Sequence, residues 1–330
     1  MKMKKYICPA IALLIILFFV WNICIPRNSK DFNEIIFKIE KGQDSRDIGM
    51  GLQKQGLIRW SPVFRIYVIT IGISGKLQAG SYSLSPHINM VKIARKFSQG
   101  EVINLALVVP EGYDIKEIEK SLVSLGLNRS LSSLKTGDFK EKFSFLEGIN
   151  NYSLEGFLFP DTYHFSYQDE APDIAEMMLS NFNQKVSPVL RADIKKQGKS
   201  LFDIIRMASL IEKEVKTLEE KKIVSGILWK RLRSKMPLQV DATITYLTGD
   251  NSFVSNDDTK IDSPYNTYKY LGLPYGPICN PGLESIEAAV YPDSSAYWYY
   301  LSTPEGKTIF SRTLDEHNAA KYKYLKNNGQ

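Results

Sequence analysis

Residues 6–26 carry no charged side chain and include IALLIILFFVW, and no other segment restricts the possible folds so strongly. Twenty-one such residues in one helix suffice to cross the apolar core of a bilayer. Lys2, Lys4 and Lys5 precede the run, and Arg27, Lys30 and Asp31 follow it. The positive-inside rule then predicts a cytoplasmic tail (1–5), a single-pass membrane anchor (6–26) and everything after Arg27 outside the cytoplasm. A cleaved signal peptide is the competing reading, but the run is long for one and ends in IPRN with no small-x-small site. Cys24 follows Asn22-Ile23, which argues against a lipoprotein site.

Cys8 and Cys24 fall in the apolar run, so Cys279 is the one thiol of the exported part and has no intramolecular partner there. An ordinary core must hold that part together, and a chain of 330 residues, 44% hydrophobic, can build one or two. The net charge of +6 is modest. An exported protein has little access to nucleic acid, so the excess reads as solubility and affinity for an anionic envelope.

Residues 35–57 read as a strand, a glycine turn and a helix capped by Asp44, and residues 105–127 repeat the pattern. Gly42, Asp44, Ile48, Leu52, Gly56 and Leu57 match Gly112, Asp114, Ile118, Leu122, Gly126 and Leu127, always 70 positions apart. The agreement implies two related strand–turn–helix units. Between them the sequence predicts a Ser-Pro-started helix (SPVFRIYVITIG), a short strand (LQAGSYSLSP) and a helix capped by Asn89 and stopped by Gly100. This β-α-α-β succession over about 34–100 resembles a LysM module, a small fold that binds N-acetylglucosamine-containing glycans; a spacer without sugar affinity fits the pattern as well. Residues 128–150 read as loop or short helices, 174–196 as a helix broken at Pro188, and 201–232 as a second long helical stretch. AYWYYLS alternates like a half-buried strand. The expected fold is α+β: an N-terminal transmembrane helix, a LysM-like module (27–104) and a mixed α/β catalytic domain (105–330).

Chemistry concentrates in MASLIEKEV, 207–215. At about 100° per residue, Glu212 falls among Leu201, Ile204, Ile205, Ala208, Ile211 and Val215. A carboxyl group in apolar surroundings loses hydration of its charged form and can stay protonated, as a general acid requires. A surface Glu, or one paired to a core Arg, is the plain alternative. Glu214 points about 160° away, toward solvent or a lysine such as Lys221. QGKS at 197–200 fails as a phosphate loop because Asp193 stands where glycine is needed, and HExxH, GxSxG and paired CxxC motifs are missing. His87, His164 and His317 are scattered. The abundance of Glu, Asp, Asn and Tyr suits carbohydrate chemistry, and neither metal nor cofactor is implied.

Four blocks in order, LEGFLFPDTYHF (154–165), ASLIEKEV (208–215), LQVDATITY (238–246) and SPYNTYKYLGLPYGPICNPGLESIEAAVYP (263–292), resemble the signature blocks of the MltG/YceG family of endolytic murein transglycosylases. DEHNAAKYKYL (315–325) is similar to the family's C-terminal end. The resemblance implies a lyase that cleaves the MurNAc-β-1,4-GlcNAc bond of nascent peptidoglycan and leaves 1,6-anhydro-MurNAc ends. Its partners would be glycan strands and the peptidoglycan synthases of division or elongation. It also implies that the first Glu of the E-K-E block, here Glu212, is catalytic. Pro274-Tyr275-Gly276 and Asp241-Ala242-Thr243 depart from the family's Pro-Pro-Gly and Asp-Pro-Thr without removing a proton-carrying group.

One carboxyl group suffices for such a reaction, because the substrate's own C6 hydroxyl attacks and its placement is intramolecular. Glu212 is therefore expected to act first as acid and then as base. Glu155, Phe157 and Asp161 belong to a shaped loop that lines the glycan groove or plugs the core. Gln239, Asp241 and Thr243 alternate as on one face of a strand, suited to sugar N-acetyl groups or to plain amphipathicity. Tyr265, Asn266 and Tyr268 lie in a Pro- and Gly-rich loop, where Asn266 binds an acetamido group and the tyrosines stack on sugars, or Asn266 merely caps the turn. His317-Asn318 reads as a helix position that packs or caps. The alternatives in function are a hydrolytic muramidase and a non-catalytic glycan-binding anchor.

Overall fold

The computed structural model describes residues 4–149, 151–250 and 254–326, except for the side chains of 4–10, 12, 325 and 326. The chain divides into two compact units, 1–105 with 164–169, and 106–163 with 170–330. A helix, α1 (Lys4–Cys24), covers most of the expected anchor. Residues 1–3 of the expected tail, and the side chains of 6–10 (Cys8 among them) and 12 of the expected anchor, lie outside what is described. Among the described residues, no helix is long and apolar enough to cross a membrane. Leu14, Ile15, Ile16 and Leu17 of α1 are each more than half exposed.

The rest of the first unit follows the expected order: β1 (Ile35–Ile39), α2 (Ser45–Lys54), α3 (Ser61–Thr70), β2 (Gly80–Leu84) and α4 (Met90–Gln99). β1 and β2 pair antiparallel, Phe37 opposite Tyr82. Ile48, Leu52, Val63, Phe64, Ile93 and Phe97 turn inward at helical spacing and close one core with Phe37 and Tyr82. Asn89 caps α4 by accepting from the Lys92 N–H, and Gly100 ends it in the left-handed conformation.

β3 (Asn104–Val108), which spans the division at 105/106, leads into α5 (Ile115–Ser124) of the second unit, and the 70-residue repeat becomes concrete. Asp44 and Asp114 each form a reciprocal capping box with the residue three ahead, Asp47 and Glu117. Gly42 (φ +91°) and Gly112 (φ +80°) make the left-handed turn that precedes each cap. Leu57 and Leu127 each donate their N–H to the leucine five residues earlier, at 2.9 and 3.0 Å.

The remaining elements are β4 (Thr162–Ser166), α6 (Ala171–Lys185), α7 (Pro188–Lys196), α8 (Leu201–Glu214), α9 (Leu218–Arg233), α10 (Asp241–Thr248), α11 (Leu283–Val290), β5 (Tyr299–Ser302), β6 (Thr308–Ser311) and α12 (Leu314–Lys321). β3 pairs with β4, and β5 with β6. Two expectations are corrected. The stretch 201–232 is two helices: Val215 is extended, and Thr217 starts α9 by accepting from the Glu220 N–H. The strand expected at 239–243 is absent, because Gln239 takes φ +50° and α10 begins at Asp241.

Candidate active site

The C-terminal turn of α8 sends its two glutamates into different surroundings. Glu212, its side chain 9% exposed, lies 3.4 Å from the Lys221 ammonium of α9. Its other oxygen accepts from the Gly282 N–H at 3.0 Å and the Ser285 hydroxyl at 2.6 Å, at the N-terminus of α11. Every hydrogen-bond partner is a donor and one carries full charge, and these contacts tie three helices together. The expectation of an apolar setting for Glu212 is thus corrected. So is the pairing of Lys221 with Glu214: the buried lysine faces Glu212, with Glu284 at 3.9 Å.

Glu214, the last residue of α8, borders a cleft of about 530 Å³ whose walls also include Asp114, Lys116, Lys213, Asp241 and Tyr246. Glu212 is not part of that wall. Burial, reinforced by the nearby Asp241 carboxylate, pushes Glu214 up to about 7, against a hydrogen bond from Tyr300 and the charge of Arg231. Asp241 sits at the first position of α10 and accepts from the Tyr268 hydroxyl. Burial and that carboxylate raise the Tyr268 phenol, while burial raises the Tyr300 phenol well above its usual value. Arg231 is 5% exposed and is fixed by donating to the carbonyls of Trp298 (2.9 Å) and Leu238 (2.7 Å). The cleft therefore juxtaposes a carboxyl group able to hold a proton near neutrality with a second, Tyr-bonded carboxylate.

The other sequence candidates separate into cleft and scaffold. Tyr265 is half-buried, its ring tilted against Tyr246 at 5.2 Å and edge-on to Tyr275 at 5.9 Å, and burial raises its phenol to about 12. Gln239 is exposed beside the loop, its N–H donating to the Thr267 carbonyl at 3.1 Å. Thr243 is fully buried, its hydroxyl donating to the Val240 carbonyl and 3.1 Å from the Thr267 hydroxyl.

Four further candidates are engaged by the chain's own groups. Asn266 is fully buried, donating to the Thr259 and Ile261 carbonyls and accepting from the Tyr268 and Lys269 N–H groups, so it organises the loop. Glu155, 3% exposed, accepts from the Ile115 N–H at 3.1 Å and the Asn280 amide at 2.9 Å, and burial lifts it to about 8. Phe157 is a core ring packed on Phe145, Phe182 and Phe202. Asp161 is exposed and spends its carboxylate on the Thr162 N–H and the Asn181 amide.

His317 is 9% exposed, stacks on Tyr299 and is pushed down to about 4 by burial, while Cys279 is a buried thiol donating to the Ser209 carbonyl. Among the described residues no three His, Cys, Asp or Glu side chains gather as metal ligands.

Sequence reasoning turned Glu214 toward solvent or a lysine and did not single out Tyr300 or Arg231. The signal for Glu214 was present in T-L-E-E, 217–220, a capping box that starts a new helix and makes Glu214 the end of the old one. Nothing local marked Tyr300 or Arg231, which come together through tertiary packing.

The signature of the YceG-like family matches residues 37–323. An endolytic murein transglycosylase of Bacillus subtilis (strain 168) is 34% identical over 303 residues, 87% of this chain and 84% of that protein. An endolytic murein transglycosylase of Streptococcus pneumoniae (serotype 2, strain D39) is 28% identical over 89% of this chain, which spans 58% of that longer protein. A crystallised yceG-like protein from Listeria monocytogenes superimposes with a TM-score of 0.60 at 33% identity, covering 88% of this chain and 99% of that one. With the match running through both units and across every element of the cleft, the chain belongs to the YceG-like family.

Proposed function

We propose that the chain is an endolytic murein transglycosylase, a lyase that cleaves the MurNAc-β-1,4-GlcNAc bond of peptidoglycan strands, with Glu214 as its proton carrier in place of the Glu212 expected from the sequence. The observation that carries this reading is the cleft-lining position of Glu214 with its carboxyl raised to about 7. Its proton passes to the glycosidic oxygen as the bond to C1 breaks. The resulting carboxylate takes the proton from the C6 hydroxyl as that oxygen closes on C1, leaving a 1,6-anhydro-MurNAc end. No water enters. Asp241, negative and held by Tyr268, favours the protonated form of Glu214 and stabilises the positive charge that develops at C1. Glu212 serves as the strut that fixes the end of α8 against α9 and α11.

The second carboxylate in the cleft also favours one alternative, a hydrolytic muramidase in which Asp241 activates a water. Mass spectrometry of uncross-linked glycan strands after digestion separates the two, since anhydro ends are lighter than reducing ends by one water. Loss of cleavage in Glu214→Gln with retention in Glu212→Gln supports Glu214 as the acid; the reverse pattern returns the role to Glu212.

Around this centre, the apolar run at 6–26 anchors the chain in the cytoplasmic (inner) membrane with the cleft on the outer, periplasmic side, in keeping with the exposed apolar side chains of α1. The β1-α2-α3-β2 arrangement acts as a LysM-like glycan-holding module ahead of the catalytic unit.

A further inference from the structure

Three lysines line the cleft: Lys116 and Lys120, one turn apart on α5, and Lys213, between the two glutamates of α8. All three are exposed, and none takes part in an ion pair among the described residues. The nearest acidic residues on α5 are already engaged. Asp114 accepts from the Glu117 N–H at 2.7 Å, and Glu117 accepts from the Asp114 N–H at 2.9 Å, so both turn back onto the helix start. The Lys116 ammonium lies 5.9 Å from the centre of the Tyr246 ring, which faces the same cleft.

Three unpaired cations gain little from a neutral sugar chain. On a peptidoglycan strand the fixed negative charges are the carboxylates of the peptides carried by the muramic residues. We propose that Lys116, Lys120 and Lys213 form a subsite for these peptide carboxylates, so that the enzyme selects peptide-bearing strands over bare glycan. The subsite rests on the reading of the cleft as a peptidoglycan-cleaving site. It adds that the peptide, and not the sugar alone, is recognised. Its position follows from geometry: Lys213 is adjacent to Glu214 in sequence, so a carboxylate held there belongs to a muramic residue close to the bond being cut. Three exposed ion pairs together are worth roughly ten-fold in affinity, screened by salt.

The test uses uncross-linked strands in three forms: with peptides intact, with peptides removed by an amidase and the lactyl carboxylates that this frees converted to neutral amides, and with peptides retained but their carboxylates converted to neutral amides. The full chain in detergent is expected to cleave intact strands with a kcat/KM roughly ten-fold above that for either other form, mainly through KM, and to lose the preference near 0.5 M salt. The triple variant K116A/K120A/K213A should bring the ratio close to one, and K116R/K120R/K213R should restore it. Equal cleavage of intact and amidated strands overturns the proposal, as does a preference that survives in the alanine variant. Binding of the three strand forms to Glu214→Gln, measured by co-sedimentation, keeps the two readings apart. Discrimination by charge without any cleavage by the wild type supports the lysine subsite and refutes the chemistry assigned to Glu214. Cleavage without discrimination does the opposite.

Discussion

Glu214→Gln keeps the shape of the side chain and removes its proton, so cleavage should fall by about a hundred-fold or more, the usual worth of a general acid, with the unfolding midpoint little changed. Glu212→Gln should do the converse. It leaves the buried Lys221 without its close counter-charge, at a cost of about 3 kcal/mol in stability, while cleavage by the folded fraction persists. Because Glu214 must start protonated, kcat/KM should decline as pH rises through about 7. Asp241→Asn removes a negative charge that helps hold this carboxyl up, so the decline should move to lower pH; a decline that stays in place argues against Glu214 as the group that titrates. At this scale the sequence pointed to the nine-residue block that holds both Glu212 and Glu214. Helix angles measured from Leu201 placed Glu212 inward correctly, yet inward there meant Lys221, Gly282 and Ser285. Those partners come from 9 to 73 positions away, and no periodicity could anticipate them.

At the scale of elements, legibility tracked how local the determinant was. Caps and turns are decided within four residues, so Asp44, Asn89 and Asp114 were readable, and so was the 70-residue echo between α2 and α5. The run LQVDATITY misled because alternation alone cannot reveal that Gln239 adopts φ +50°, a backbone state that the Thr267 carbonyl helps fix from a distant loop. The two capping boxes predict matched costs: Asp44→Ala and Asp114→Ala should each lower the urea midpoint, and by similar amounts. The loop that starts at Glu155 predicts a pH effect. Glu155 has an ordinary value of 4.5 and a folded value of about 8, so the folded chain holds its proton the more tightly. That contribution is complete below about pH 4.5 and is lost as pH rises toward 8. Unfolding midpoints should therefore decline across this window. Glu155→Gln, neutral throughout, should flatten the part of the decline that extends above 7, where Glu214 has finished titrating.

At the scale of the whole molecule, the issue is how the N-terminal helix meets the unit that follows it. Phe19 and Ile23 of α1 pack against the core of that unit, Phe18 meets the Trp60 ring edge-on, and the Arg59 guanidinium lies over Trp21. Asn89 donates to the carbonyl of Cys24, and Arg59 to those of Ile25 and Pro26. The last turns of α1 are thus part of the folded unit, whereas Leu13 through Leu17 stay exposed. If the exposed turns lie in lipid, the unit is held at the membrane surface without a flexible tether. Deleting residues 1–26 then has two separable consequences. The shortened chain should leave membrane vesicles for the aqueous phase. It should also unfold more easily by about 2 kcal/mol, since two apolar side chains lose roughly half of their burial each. Equal stability of the two chains in the same detergent would show that α1 is only a tail and that the unit hangs on a flexible tether even where membrane attachment holds.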